Sequence, residues 1–202
     1  MFAVETIVEN SLYAIKYTED NDEFENNEFE DDESTKNEFR RLFKNWADPE
    51  YLEAFFDKHQ DDLQKPIFSF ISIEDAISDT IEEASLLETK LIEIANMGKE
   101  DATQNLQTLF KPLHKSDETK YPIPDFQQSK VYGDYYPSWL RVYAIRIEPN
   151  AYVVTGGGIK LVKRMSDREH LQKELDKLNL VKNYLIKEHI IDKEDLVEFF
   201  EI

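Results

Sequence analysis

The chain has 202 residues, no cysteine, 41% hydrophobic and 12% aromatic residues, and a formal net charge of −19. That composition supports a buried core in one domain, or a core with an appendage, and excludes a globally disordered chain. The missing cysteine excludes disulfides, thiolate metal sites and a cysteine nucleophile. No apolar run reaches the roughly 18 residues of a membrane span. The opening MFAVETIVENSLYAIKYTED has no basic or apolar signal segment, so the expectation is a soluble cytoplasmic protein with no membrane partner.

Charge is spread unevenly. Residues 1–110 carry 9 Lys and Arg against 28 Asp and Glu, and residues 111–202 carry 15 of each. Residues 141–187 hold 10 cations against 5 anions, so a locally basic stretch lies behind an acidic front. The overall sign argues against nucleic acid as a partner, and the distribution reopens that question.

In chain order, SLYAIKYT at 11–18 alternates well enough for a short strand with Leu12 and Ala14 on one side. EDNDEFENNEFEDDE at 19–33 is a low-complexity acidic run that reads as a solvated loop. It lacks the sixth-position glycine of a calcium loop. Phe39, Leu42, Phe43 and Trp46 keep helical spacing, and Asp48-Pro49 caps a second helix bearing Leu52, Phe55, Phe56 and Leu63 up to Pro66. Ser72, with Asp75 three residues on, opens a long helix that runs to Gly98 with a mostly acidic outer face. A short helix near 103–111 stops at Pro112, and 112–137 reads as loop. SWLRVYAIRIE at 138–148 and AYVVTGGGIKLVK after the Pro149-Asn150 turn form an antiparallel hairpin. Ser166-Asp167-Arg168-Glu169 reads as a capping box for a helix carrying Leu171, Leu175, Leu178, Val181, Leu185 and Ile186, and a last helix lies near 192–200. The fold class is α+β, with an acidic, mainly helical N-terminal region (1–130) and a C-terminal antiparallel β-sheet flanked by helices (131–202). The two regions are also compatible with one continuous domain.

Three of the five glycines stand together at 156–158. They match neither G-x-x-x-x-G-K-[ST] nor G-x-G-x-x-G, and IKLVK continues as strand, so a bend or bulge is favoured over a phosphate loop. Such a bend leaves room above the sheet beside several cations. Arg141 and Arg146 are five apart on one strand and point to opposite faces unless a bulge intervenes. The four histidines have no metal-ligand spacing and no G-x-S-x-G occurs, so neither a metal, a cofactor nor a hydrolase elbow is expected. The aromatic segment 39–56 reads as core.

WLRVYAIRI, a turn, YVVTGGGIKLVKRM and a capped helix, about residues 138–188, resemble the RelE/HigB-like toxins of type II toxin–antitoxin systems. The resemblance implies a RelE-like sheet flanked by helices and a metal-independent endoribonuclease that cleaves mRNA, usually on the ribosome, and inhibits translation. It also implies a helix-turn-helix antitoxin as partner. By the same resemblance Arg141 and Arg146 correspond to the strand arginines, and Lys163 and Arg164 to the basic pair. Lys160 is an added cation, His170 or Tyr143 the acid or base, and Lys160, Tyr143 and Lys173 contact RNA. A competing class is an acidic, non-catalytic binding or inhibitor protein that mimics nucleic acid or docks a basic partner.

Overall fold

A computed structural model describes residues 2–17, 37–114, 116 and 126–202, so the acidic run at 19–33 lies outside the described residues. Six strands form one sheet: β1 (Phe2–Val8), β2 (Leu12–Tyr17), β3 (Lys111–Pro112), β4 (Gln128–Tyr132), β5 (Leu140–Glu148) and β6 (Ala151–Ile159). Their order is β1-β2-β6-β5-β4-β3. All neighbours are antiparallel except β2 and β6, which run parallel over Leu12–Ala14 and Tyr152–Val154. A mixed α+β fold with a mostly antiparallel, helix-flanked sheet is therefore present. The sheet takes strands from both ends of the chain.

Helices cover both faces. On one, α1 (Glu38–Trp46), α2 (Pro49–Lys58) and α4 (Ile73–Met97) pack Phe39, Leu42, Trp46, Leu52, Phe56, Leu87 and Leu91 against Leu12, Val142, Ala144 and Val154. On the other, α6 (Glu169–Lys187) and α7 (Lys193–Phe200) pack Leu178, Val181, Leu185 and Leu196 against Val4, Tyr13, Ile15, Ile145 and Val153. Strands between two apolar layers read as continuous hydrophobic runs, and all nine residues of β6 are buried. Two short helices, α3 (Gln60–Leu63) and α5 (Leu106–Leu109), lie on the connections.

Helix ends follow local chemistry. Asn37, Asp48, Ser72 and Asp192 each accept a backbone N–H from the first turn of α1, α2, α4 and α7. The expected capping box at Ser166 does not form. Residues 165–167 make a 3-10 turn, the Asp167 carboxylate accepts the Arg164 N–H, and α6 begins at Glu169 with no side-chain cap. The stretch 112–137, read as loop, contains β4. Only Ser129 and Val131 of its five residues are buried, so its sequence carries little apolar signal and its strand form comes from the ladder to β5.

Candidate functional site

The triple glycine sits where β6 leaves β2. Tyr143 faces Gly156 but Ala144 faces Val154, so Thr155 is an extra residue and the strand bulges just before the glycines. Gly156 has φ +157°, a value side chains rarely adopt, and a Cβ there would fall on the Glu174 carboxylate. A Cβ at Gly157 would lie 2.5 Å from the Arg141 carbonyl and 2.8 Å from Leu42 Cδ1. The glycines therefore let α1 and α6 approach the strand from opposite faces. The room expected above the sheet is filled by the protein's own Leu42, Leu171 and Glu174.

Through the gap between β2 and β6 runs a buried ionic group. Glu38 and Arg41 come from α1 on one face, Glu174 and Lys177 from α6 on the other. Arg41 forks onto Glu38 at 2.9 and 2.7 Å, and Lys177 Nζ lies 3.2 Å from Glu38 and 3.1 Å from Glu174. Glu174 also accepts the Gly157 N–H at 2.8 Å, and the Tyr17 hydroxyl donates to the Thr155 carbonyl at 3.2 Å. Side chains thus replace the strand-to-strand bonds lost where the two strands part. Burial alone would raise the Glu38 carboxyl, but the Arg41 and Lys177 cations outweigh it and hold it down at about 2. Burial and the neighbouring Glu38 charge push Glu174 upward.

The cations singled out in the sequence divide between the two faces. Arg146 is buried on the α4 face, where its Nε donates to Gln107 Oε1 at 3.1 Å beside the Tyr152 ring stacked on Phe110. Arg141 faces the α6 side, so the two arginines do not share a site. Tyr143 is also on the α6 face, but only 1% exposed. Its hydroxyl has no hydrogen-bond partner among the described residues, and burial raises its pKa. Lys163 and Arg164 are exposed after the end of β6. Lys173 pairs with Glu169 at 3.5 Å on the surface of α6.

What does assemble lies on the α6 side of the sheet end. The Arg141 guanidinium stacks 4.0 Å from the centroid of Tyr132, which is 39% exposed, and the Lys130 ammonium lies 5.6 Å from the same ring. The Lys160 ammonium donates to the carbonyls of Val162 and Lys163. Burial lowers its pKa, and the Arg141 and Lys130 charges lower it further. Across β6, His170 comes within 4.0 Å of where a Gly158 Cβ would stand, and Gly158 is the strand partner of Arg141. His170 in turn meets His59, at the junction of α2 and α3, with ring centroids 5.0 Å apart. Lys130, Tyr132 and His59 escaped the sequence reading. The first two sit in a strand with little apolar signal, and His59 joins His170 only through the tertiary fold.

No family model, curated protein or solved structure matches the chain. Among the described residues, no helix is long and apolar enough to cross a membrane. No three His, Asp or Glu side chains among them converge where they could hold a metal ion.

Proposed function

We propose that the protein is an RNA-directed inhibitor of translation, a metal-independent endoribonuclease of the kind its C-terminal segment resembles. The carrying observation is that Lys130 and Arg141 flank the exposed Tyr132 ring, with Lys160 close enough to feel both of their charges, on the sheet face covered by the helix that bears His170. Cations follow a phosphodiester backbone and an exposed tyrosine offers a stacking surface for a base. Arg141 and Lys160 are placed to stabilise charge building on a phosphate under attack by its neighbouring 2′-hydroxyl. Exposed Lys163 and Arg164 extend the positive surface, with Lys173 on the adjoining helix. Arg146 and Tyr143, committed to interior contacts, stand outside this arrangement. A helix-turn-helix antitoxin belongs to the same reading, and its co-expression would restore growth.

Induction in a bacterial host, with amino-acid incorporation followed over minutes, tests the proposal. The wild type is expected to arrest protein synthesis and an Arg141→Ala, Lys160→Ala double variant at equal abundance to spare it. A wild type that leaves synthesis untouched rejects it. One observation favours a second reading, an acidic binding module. On α4, Glu74, Asp75, Glu82 and Glu93 are exposed, and Asp79 is raised by burial and by the charges of Asp75 and Glu82. Salt-sensitive capture of a basic partner without translation arrest would select it.

A further inference from the structure

We infer that His59 and His170 form the acid–base centre of a phosphodiester-cleaving site that takes an RNA strand at its scissile phosphate. The inference rests on the ribonuclease reading above and adds a residue from the N-terminal helices to the chemistry.

Four features of the pair carry it. The ring centroids stand 5.0 Å apart at 56° and both residues are partly buried. Phe55 packs on each, 4.5 Å from His59 and 5.3 Å from His170, and fixes their mutual position. His170 Nε2 lies 3.1 Å from the Ile159 carbonyl. A carbonyl only accepts, so that nitrogen carries the proton and Nδ1 of the neutral ring keeps its lone pair. The helix that bears His170 is pinned where it starts, because Arg168 forks onto Asp62 at 2.6 and 2.7 Å and Asp62 also receives Lys65 at 2.7 Å.

The charged groups facing the pair are Lys58, Arg168 and Asp62, with Lys65 behind Asp62. Burial holds His59 down at about 4, and the charges of His170, Arg168 and Lys58 add to it. Burial likewise lowers His170, against its bond to Ile159. The bond to Ile159 uses one nitrogen of His170, and an anionic strand reaching the pair would find two imidazoles flanked by the cations Lys58 and Arg168. The step balances without metal, redox partner or added water. Nδ1 of His170 takes the 2′-hydroxyl proton, the 2′-oxygen bonds to phosphorus, and the bond from phosphorus to the 5′-oxygen breaks. Protonated His59 gives its proton to that leaving oxygen. The products are a 2′,3′-cyclic phosphate and a 5′-hydroxyl, and proton exchange with solvent resets the pair. Because both groups titrate below their ordinary range, cleavage should peak on the acid side of neutrality.

The test uses the full chain with isotope-labelled histidine and a fluorescent RNA oligonucleotide. Addition of uridine 3′-monophosphate to the wild type is expected to shift both imidazole resonances and raise both pKa values, a readout that needs neither turnover nor a variant. His59→Asn and His170→Asn are each expected to lose about a hundredfold or more in cleavage rate with RNA affinity unchanged within about threefold. His59→Gln serves if the asparagine variant does not fold. Wild-type cleavage by folded His59 variants, alongside loss in His170→Asn, overturns the pair and leaves the ribonuclease reading standing. A wild type that cleaves no RNA overturns both the reading and the catalytic assignment, even where the nucleotide shifts the resonances.

Discussion

A charged side chain only 1% exposed, as that of Lys177 is, persists in a core only where its partners offset the cost of leaving water. Its partners are two carboxylates, so Lys177→Met should leave Glu38 and Glu174 sharing Arg41 alone. The expected loss is about 3–5 kcal/mol in urea unfolding. Lys90→Met, at the exposed pair with Asp134, should cost under about 1 kcal/mol. Equal effects at the two positions would reject the account of the buried group. The glycines give a second contrast. Gly156→Ala places a methyl on a carboxylate held in that group, at a φ alanine resists, and should cost about 1–3 kcal/mol. Gly158→Ala meets Leu171 at 3.5 Å, an ordinary contact, and should leave the melting temperature nearly unchanged.

At the scale of elements, the long helix α4 depends on its start as well as on its packing. The Ser72 hydroxyl accepts the Asp75 N–H at 3.1 Å, so Ser72→Ala should cost about 1 kcal/mol in thermal unfolding, and no loss would discount the cap. The start of α6 lacks such a cap and is held instead by Arg168 on Asp62. Asp62→Asn should speed amide exchange in the first turn of α6 while leaving α4 protected, and equal protection there would show that the pair holds nothing. The elements differ in how plainly the sequence announces them. The first helix, the long one and the hairpin could be read because their apolar residues keep the period of the element and their ends carry caps. The Ser166-to-Glu169 box failed because the fold drew Asp167 onto the Arg164 backbone and put Arg168 to work across the interface. The strand β4 went unread because pairing with β5, rather than its own apolar content, makes it a strand.

Across the whole molecule, the titrating groups set a direction for stability against pH. His59 and His170 are held below their ordinary 6.5, so the folded state binds fewer protons than the unfolded one, and stability falls as pH drops from 6.5 toward 4. Glu38, ordinarily at 4.5 and held at about 2, and Asp62, also lowered, remove more between about pH 4.5 and 2. Glu174 and Glu83, both raised chiefly by burial, act in the opposite sense. Urea unfolding at pH 7, 5 and 3 should show a stepwise loss, and Glu38→Gln should flatten the last step. A last step unchanged in that variant would sink the assignment to Glu38.

The α+β class, the first and the long helix, the central hairpin, a bend at the glycines and the opposite facing of Arg141 and Arg146 are legible in the chain. These follow from local period, turn chemistry and strand alternation, which need no knowledge of what lies across the core. The packing of distant elements makes β2 join β6 in parallel, gives the space at the glycines to Leu42 and Glu174, and gathers Arg141 with Lys130 and Lys160 while Arg146 is sealed behind Gln107. It also set His59 against His170 across 111 positions of sequence. Contacts of that separation are fixed by how whole layers pack on the sheet, and no short-range pattern in the chain encodes them.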